Sequence, residues 1–276
     1  MGRAARSGKL SDAACRSAAG ENFTKRGGAV SENAKPRHAL LSDFYAGDCG
    51  KLAAKLIGEQ IAALWPDLKG MRVLAVGWPF PYLEYLQSAA HVLVATPHFT
   101  AAETALLQEK HGAAAIVSLT EDHLPFYTRS FDRILSIHGC EYSANLTDFF
   151  GKAEKLLKND GRIITAIPNS CGLWCGKSAA PFSGGRRVTE ARITAVLENS
   201  GFAQEYHGQA LAFPPLQNKK LLRWAEKWEK TGRFLMPFFC GVHICEARKH
   251  ILSGAALKPE KRAATAPAGL AGAGAK

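Results

Sequence analysis

The sequence predicts an α/β fold built on a mostly parallel sheet, and three observations carry that expectation. Met71 to Leu86, MRVLAVGWPFPYLEYL, passes from an apolar, β-branched run through Gly77 and a proline-containing turn into a segment with Tyr82, Leu83, Tyr85 and Leu86 at near-helical spacing. Further along, short apolar runs alternate with amphipathic helical stretches, the order expected of parallel strands joined by helices. With 276 residues and 47% hydrophobic content, the chain can bury a sizeable core. In open sheets of this kind the first βα turn is where a nucleotide-like ligand usually sits, because the strand end opens onto a crevice and a helix N-terminus offers free N–H groups.

Taken in order, residues 1–38 are basic, rich in Arg, Ser, Ala and Gly, and without apolar periodicity, so they read as a disordered extension. A transit peptide or a later translation start at Val30 would account for the same composition. A domain is expected over 39–250. Ser42 reads as an N-cap, followed by Phe44, Leu52, Leu56, Ile57, Ile61 and Leu64 at helical spacing up to Pro66. Arg72–Gly77 reads as strand one, with a helix after it to about Ala90. His91–Thr96 and Ala113–Leu119 read as strands two and three around a helix over Ala101–Lys110. Phe131–Ile137 is a fourth strand, Leu146–Leu157 a helix, and Gly161–Ile167 a fifth strand entered by the turn Asn159-Asp160-Gly161. Val188–Gly201 reads as a helix with Thr189 as its N-cap. Phe202–Tyr206 and Gly241–Ala247 are the last two strands, separated by an aromatic-rich insertion over 211–239 that would cover a pocket, bind a partner or cap the sheet. Residues 251–276 return to Ala, Gly, Pro and Lys and read as a disordered tail.

The net charge of +11 is unevenly placed. Residues 1–38 hold 8 Lys/Arg against 3 Asp/Glu, residues 248–276 hold 6 against 1, and the body between them is within one charge of neutrality. That distribution argues against a nucleic-acid-binding face on the folded domain. The seven cysteines are scattered, and the chain has neither a signal-peptide core nor an apolar run long enough to span a bilayer, so a cytoplasmic protein without a membrane partner is expected. Cys171-x3-Cys175 and Cys240-x4-Cys245 lack the usual zinc spacing and read as buried thiols, with no metal expected.

From Leu124 to Asn169 the chain carries LPF, then FD and an apolar strand, a short polar loop, a helix ending KLLKNDG, and the strand RIITAIPN. This string resembles the second half of class I S-adenosylmethionine-dependent methyltransferases, most closely the type 11 group, and the likeness extends over about Phe44 to Lys249. It implies a Rossmann-like seven-stranded methyltransferase sheet, helices on both faces, an antiparallel C-terminal hairpin, and S-adenosyl-L-methionine as cofactor. The implied activity is methyl transfer to a small-molecule or protein substrate. The alternative is a methyltransferase-like module that has lost the cofactor.

The resemblance places cofactor contacts at Gly77, Trp78 and Tyr82 in the first turn, at Thr96 after strand two, and at Thr120, Glu121, Asp122, His123 and Leu124 after strand three. The chain departs from the family pattern where it matters physically. Pro79 and Pro81 stand in place of the second and third glycines, Ala75 in place of an acid, and Thr96 in place of the ribose-binding carboxylate. Proline fixes φ and lacks an N–H, so those positions neither adopt glycine angles nor donate. Methyl transfer needs mainly alignment, with a base where the nucleophile must lose a proton. His138 and Glu141, after strand four in IHGCEY, are the candidate catalytic pair, and Asn169 and Trp174 the candidate substrate contacts. Arg186-Arg187 would suit an anionic substrate or stand solvated.

Overall fold

The computed structural model describes residues 36–250 except 98, 113, 176–181, 183–184 and 217. The predicted disordered extension and tail therefore lie, beyond Pro36 and His250, outside the described residues. Val73 to Val76 alternate no polar residue and are all buried, which suits a strand covered on both faces. This strand, β1 (Arg72–Gly77), is an inner strand of a seven-stranded sheet with β2 (His91–Thr96), β3 (Ala114–Ser118), β4 (Phe131–Ile137), β5 (Leu157–Pro168), β6 (Phe202–Ala210) and β7 (Val242–Lys249). The order across the sheet is β3-β2-β1-β4-β5-β7-β6. β1 pairs in parallel with both β2 and β4, β5 pairs in parallel with β4, and β7 lies antiparallel between β5 and β6. The Rossmann-like sheet with its antiparallel C-terminal pair is thus as expected.

The chain direction across the sheet reverses between β1 and β4, and a topological switch point opens a crevice beyond the strand ends. Two apolar layers flank the sheet. On one face Ile57 and Ile61 of α2 (Asp48–Leu64) pack with Ala75, Leu135 and Ile164; on the other, Phe149 and Phe150 of α4 (Leu146–Leu156) pack with Leu74, Ile134 and Ile163.

Several boundaries differ from the sequence reading. The first helix begins at Arg37, not Ser42: α1 (Arg37–Ala46) starts after Pro36 and breaks at extended Gly47 before α2. Proline is well suited to a helix start, and its signal outweighs that of Ser42. Arg37 and His38 therefore belong to the folded domain. After β1 there is no α-helix to Ala90. Pro79 and Pro81 leave a 3-10 segment over Phe80–Leu86, because proline withholds the N–H a growing helix needs. The helix α3 (Ala101–Lys110) falls where expected, closed by a capping box in which Thr100 and Glu103 satisfy each other's backbone N–H. The helix α5 (Glu190–Asn199) is shorter than predicted, and Thr189 makes no side-chain cap bond. β5 and β6 are longer: β5 starts at Leu157, with residues 158–161 bulged out of the pairing with β4 and Asp160 at φ 61°, so the expected turn lies inside the strand, and β6 runs on to Ala210 against β7. Inside the insertion, α6 (Lys219–Leu235) packs beside α2 and is followed by a 3-10 turn over Pro237–Phe239. Cys240 and Cys245 are buried thiols as read, whereas Cys171 lies at the surface and Cys175 is half-buried.

Candidate site at the switch point

The carboxyl ends of β1 and β4 are locked together by their backbones. The N–H of Trp78 donates to the carbonyl of Ile137 at 2.7 Å. Gly77 adopts φ +95°, and a Cβ there would lie 2.4 Å from the Ile137 carbonyl oxygen and 2.6 Å from the Gly139 nitrogen. Glycine is required here by the close crossing of two chain segments. The next residue on β4's side, His138, itself adopts a positive φ of 52°. That uncommon conformation turns its imidazole inward, where it is fully buried.

Around His138 the fold assembles a polar cluster in an apolar setting. Its Nε2 lies 2.7 Å from the hydroxyl of Tyr45, which in turn lies 2.9 Å from the hydroxyl of Tyr82. Its Nδ1 faces Glu141 Oε1 at 3.4 Å, and neither atom has a hydrogen-bond partner. Phe182 packs on the ring at 4.5 Å. Burial pushes the phenols of Tyr45 and Tyr82 well above the usual range, so both are neutral hydroxyls in ordinary buffers. Burial likewise raises the thiol of Cys140, beside Glu141, with that carboxylate's charge adding to it.

Helix α1 forms the roof of this crevice. Arg37 donates to Glu121, at the end of β3, and lies 4.0 Å over the ring of Tyr142. His38 stacks obliquely on Phe99, Leu41 is buried, and Phe44 meets Trp174 edge-on at 6.0 Å. Neither Arg37 nor Tyr45 was singled out in the sequence. Their partners lie 84 and 93 residues away, and the only available signal was the helix start at Pro36.

The predicted cofactor residues divide. Gly77, Trp78, Tyr82, Thr96 and Glu121 are buried around the crevice, whereas Thr120 and His123 are exposed and Leu124 packs under the sheet with Phe126. Asp122 is committed to the chain itself. Its carboxylate accepts from the Ser143 hydroxyl at 2.6 Å and from the Ala144 N–H, and the Ser143 bond holds it below the usual carboxylate range. Of the predicted substrate contacts, Asn169 donates to the carbonyls of Phe238 and Cys240 and accepts from the Cys171 N–H. The indole of Trp174 is fully buried and donates to the Phe213 carbonyl. Both side chains build the wall at the end of β5 and present no spare donor. Arg186 donates to the Ala144 carbonyl.

Two features bear on whether a nucleoside cofactor suits this crevice. In favour, His138 Nδ1 and Glu141 Oε1 are buried and unpartnered, and Thr96 and Glu121 place further acceptors at the ends of β2 and β3. Against it, Pro79 and Pro81 carry no N–H, the Trp78 N–H is taken by the Ile137 carbonyl and the Tyr82 N–H by the Pro79 carbonyl, and Trp78, Phe80 and Phe99 stack within 6.4 Å of one another over the turn. The ends of β2, β3 and β4 thus fit the ribose and base better than the first turn fits the amino-acid part. A separate groove of about 500 Å³ lies over Val92 and Ala114, at the opposite ends of β2 and β3, where the short 3-10 segment leaves α3 uncovered. It does not belong to the crevice. No helix among the described residues is long and apolar enough to cross a membrane, and no group of three or more metal-ligating side chains occurs among them.

Residues 75–165 match the family model described as a methyltransferase domain. Among solved structures, an S-adenosylmethionine-dependent methyltransferase from Mesorhizobium loti superposes with a TM-score of 0.52 at 15% identity, covering 69% of this chain and 96% of that one. One from Thermotoga maritima gives 0.54 at 14%, covering 75% and 94%. The [4+2]-cyclase SpnF gives 0.53 at 14%, covering 71% and 80%, so the same fold also carries a different reaction. No curated protein matches the chain. Residues 75–165 are therefore similar to a methyltransferase domain, and the seven-stranded sheet has the Rossmann-like fold of the S-adenosylmethionine-dependent methyltransferases above.

Proposed function

We propose that the chain transfers a methyl group from S-adenosyl-L-methionine to a small-molecule or protein acceptor, with the cofactor held in the switch-point crevice. The observation that carries this reading is the fully buried His138–Glu141 pair at the end of β4, whose Nδ1 and Oε1 face each other at 3.4 Å with no closed hydrogen bond, inside the segment that matches a methyltransferase domain. Thr96, Glu121 and Glu141 are the acceptors suited to ribose hydroxyls and an adenine amine. Trp78 and Tyr82 supply apolar walls. When bound, the cofactor supplies an electrophilic methyl on a sulfonium.

The chain's own contribution is alignment, exclusion of water and custody of a proton. With Tyr45 donating to Nε2, the imidazole proton of His138 sits on Nδ1, facing the Glu141 carboxylate. If the acceptor nucleophile displaces Tyr45 from Nε2, His138 can take up its proton at that atom, and Glu141 then stabilises the imidazolium. α1 covers the site, so water is excluded while it is in place.

One observation favours the second reading, a cofactor-free binding module: the aromatic stack of Trp78, Phe80 and Phe99 over the first turn. Thermal unfolding with and without S-adenosylhomocysteine separates the two. Ligand at about 100 times its dissociation constant adds roughly 2.7 kcal/mol to the native state, several degrees in Tm. An unchanged Tm at millimolar ligand supports the binding module.

A further inference from the structure

The insertion between β6 and β7 ends in a surface that the crevice does not use. α6 is fixed in one orientation. Glu229 is buried and accepts from the backbone N–H groups of Leu211 and Ala212 at 2.8 and 2.7 Å, Leu222 and Ala225 enter the core, and Lys55 pairs with Glu226. At Gly232 a Cβ would meet Ala212 at 2.9 Å, so the helix lies close against the loop after β6.

That orientation leaves a large apolar stripe in water. Leu221, Trp224 and Trp228 follow at three- and four-residue spacing along the helix, Leu235 lies on the same line seven residues further, and Phe238 and Phe239 follow in the 3-10 turn. Trp224 is 73% exposed, Leu235 60% and Phe238 64%. Lys220, Arg223, Lys227 and Lys230, all exposed, occupy the flank of the helix away from the core, and Lys227 lies 5.9 Å from the Trp224 ring. A contiguous aromatic patch of this kind on a soluble face marks a docking site, and the cationic flank selects its occupant. A second copy offers this flank no free acidic counterpart on the same helix, since Glu226 pairs with Lys55 and Glu229 is taken by the Leu211 and Ala212 N–H groups. An anionic phospholipid surface answers both halves: indole and phenyl rings enter the headgroup boundary while Lys and Arg meet the phosphates.

We infer that α6 and the turn over Pro237–Phe239 form a peripheral membrane site for anionic phospholipid. That no helix among the described residues is long and apolar enough to cross a membrane is compatible with this, since the contact lies in the interface plane. The surface is continuous with the crevice wall, through the bonds from Asn169 to the Phe238 carbonyl and from the Leu173 N–H to the Phe239 carbonyl. A docked molecule would hold the end of β5 next to the lipid. The inference is independent of the cofactor and stands or falls separately from methyl transfer.

The test is co-sedimentation of the full chain with vesicles of phosphatidylcholine alone and with about one-third phosphatidylglycerol, reading tryptophan emission in parallel. The expected result is binding to the anionic vesicles only, with a blue shift, weakened by added salt. A Trp224→Ser, Trp228→Ser, Phe238→Ser variant should bind at least about tenfold more weakly with unchanged Tm and circular dichroism, since all three side chains are exposed. A Lys220→Glu, Arg223→Glu, Lys227→Glu variant should lose binding while keeping the aromatic stripe. No binding to either vesicle, equal binding to both, or unaltered binding by the aromatic variant would overturn the inference. So would a dimer at micromolar protein that the aromatic variant dissolves.

Discussion

The hydroxyl of Tyr45, in the helix that precedes the sheet, lies 2.7 Å from Nε2 of His138 at the end of β4. This contact joins the roof of the crevice to the residue proposed above to take up the acceptor's proton, and Tyr82 extends it into the first turn. A buried network of neutral hydroxyls and an imidazole fixes one arrangement only when its members are satisfied.

Replacing Tyr45 by Phe removes both bonds and strands two buried groups. The expected cost is about 1–3 kcal/mol, read as a lower urea midpoint. Amide hydrogen exchange over residues 37–46 should quicken, because α1 loses its anchor to the sheet. Unchanged exchange in α1 would show that Leu41 and Phe44 alone hold the roof.

Two glycines with similar φ separate strain from collision. Gly70, at φ +74°, has open space where a Cβ would go, and Gly70→Ala should cost about 1 kcal/mol. Gly77→Ala adds a collision with the backbone of residues 137–139 and should cost roughly 3 kcal/mol or more, or prevent folding. Equal costs in parallel urea titrations would place the role of Gly77 in conformation alone.

His243, on β7, is buried and pairs through Nδ1 with Nε2 of His207 at 3.1 Å, while His207 Nδ1 faces Glu190 at 3.2 Å. Burial, reinforced by the neighbouring His207, pushes the His243 pKa down to about 4. In the unfolded chain a histidine takes up its proton near 6.5, so between pH 6.5 and 4 the unfolded state binds more protons. Stability therefore falls as pH falls through that window, by roughly 3 kcal/mol from this residue. His243→Gln should flatten the Tm-against-pH curve between pH 6.5 and 5, above the main carboxylate range. A variant with the wild-type slope would assign the acid sensitivity elsewhere.

The sheet was legible because its signals are local. Val73 to Val76 is an apolar run with sharp ends, Ile134 to Ile137 is broken only by Ser136, and the segment from Leu124 to Asn169 carries the family resemblance matched over residues 75–165. The glycine at 77 was read as a cofactor contact, but its Cβ space is taken by the backbone after β4, a fact of strand crossing that no local pattern encodes. Asn169 and Asp122 have the right chemistry for a site, yet Asn169 is spent on backbone groups and Asp122 on the Ser143 hydroxyl and the Ala144 N–H. Arg37 and Tyr45 were missed for the converse reason. Their chemistry depends wholly on packing against residues 84 and 93 positions away. The 3-10 segment after β1 was foreseeable from Pro79 and Pro81, whose effect on the loop was recognised without being extended to the helix behind it.

The most direct test of the central claim is isothermal titration of the full chain with S-adenosylhomocysteine, beside the Glu141→Ala variant. The expected result is saturable one-site binding to the wild type and at least about tenfold weaker binding to the variant, a loss of about 1.4 kcal/mol or more, with the variant still folded. Flat heats at millimolar ligand, with no change in Tm, would contradict it.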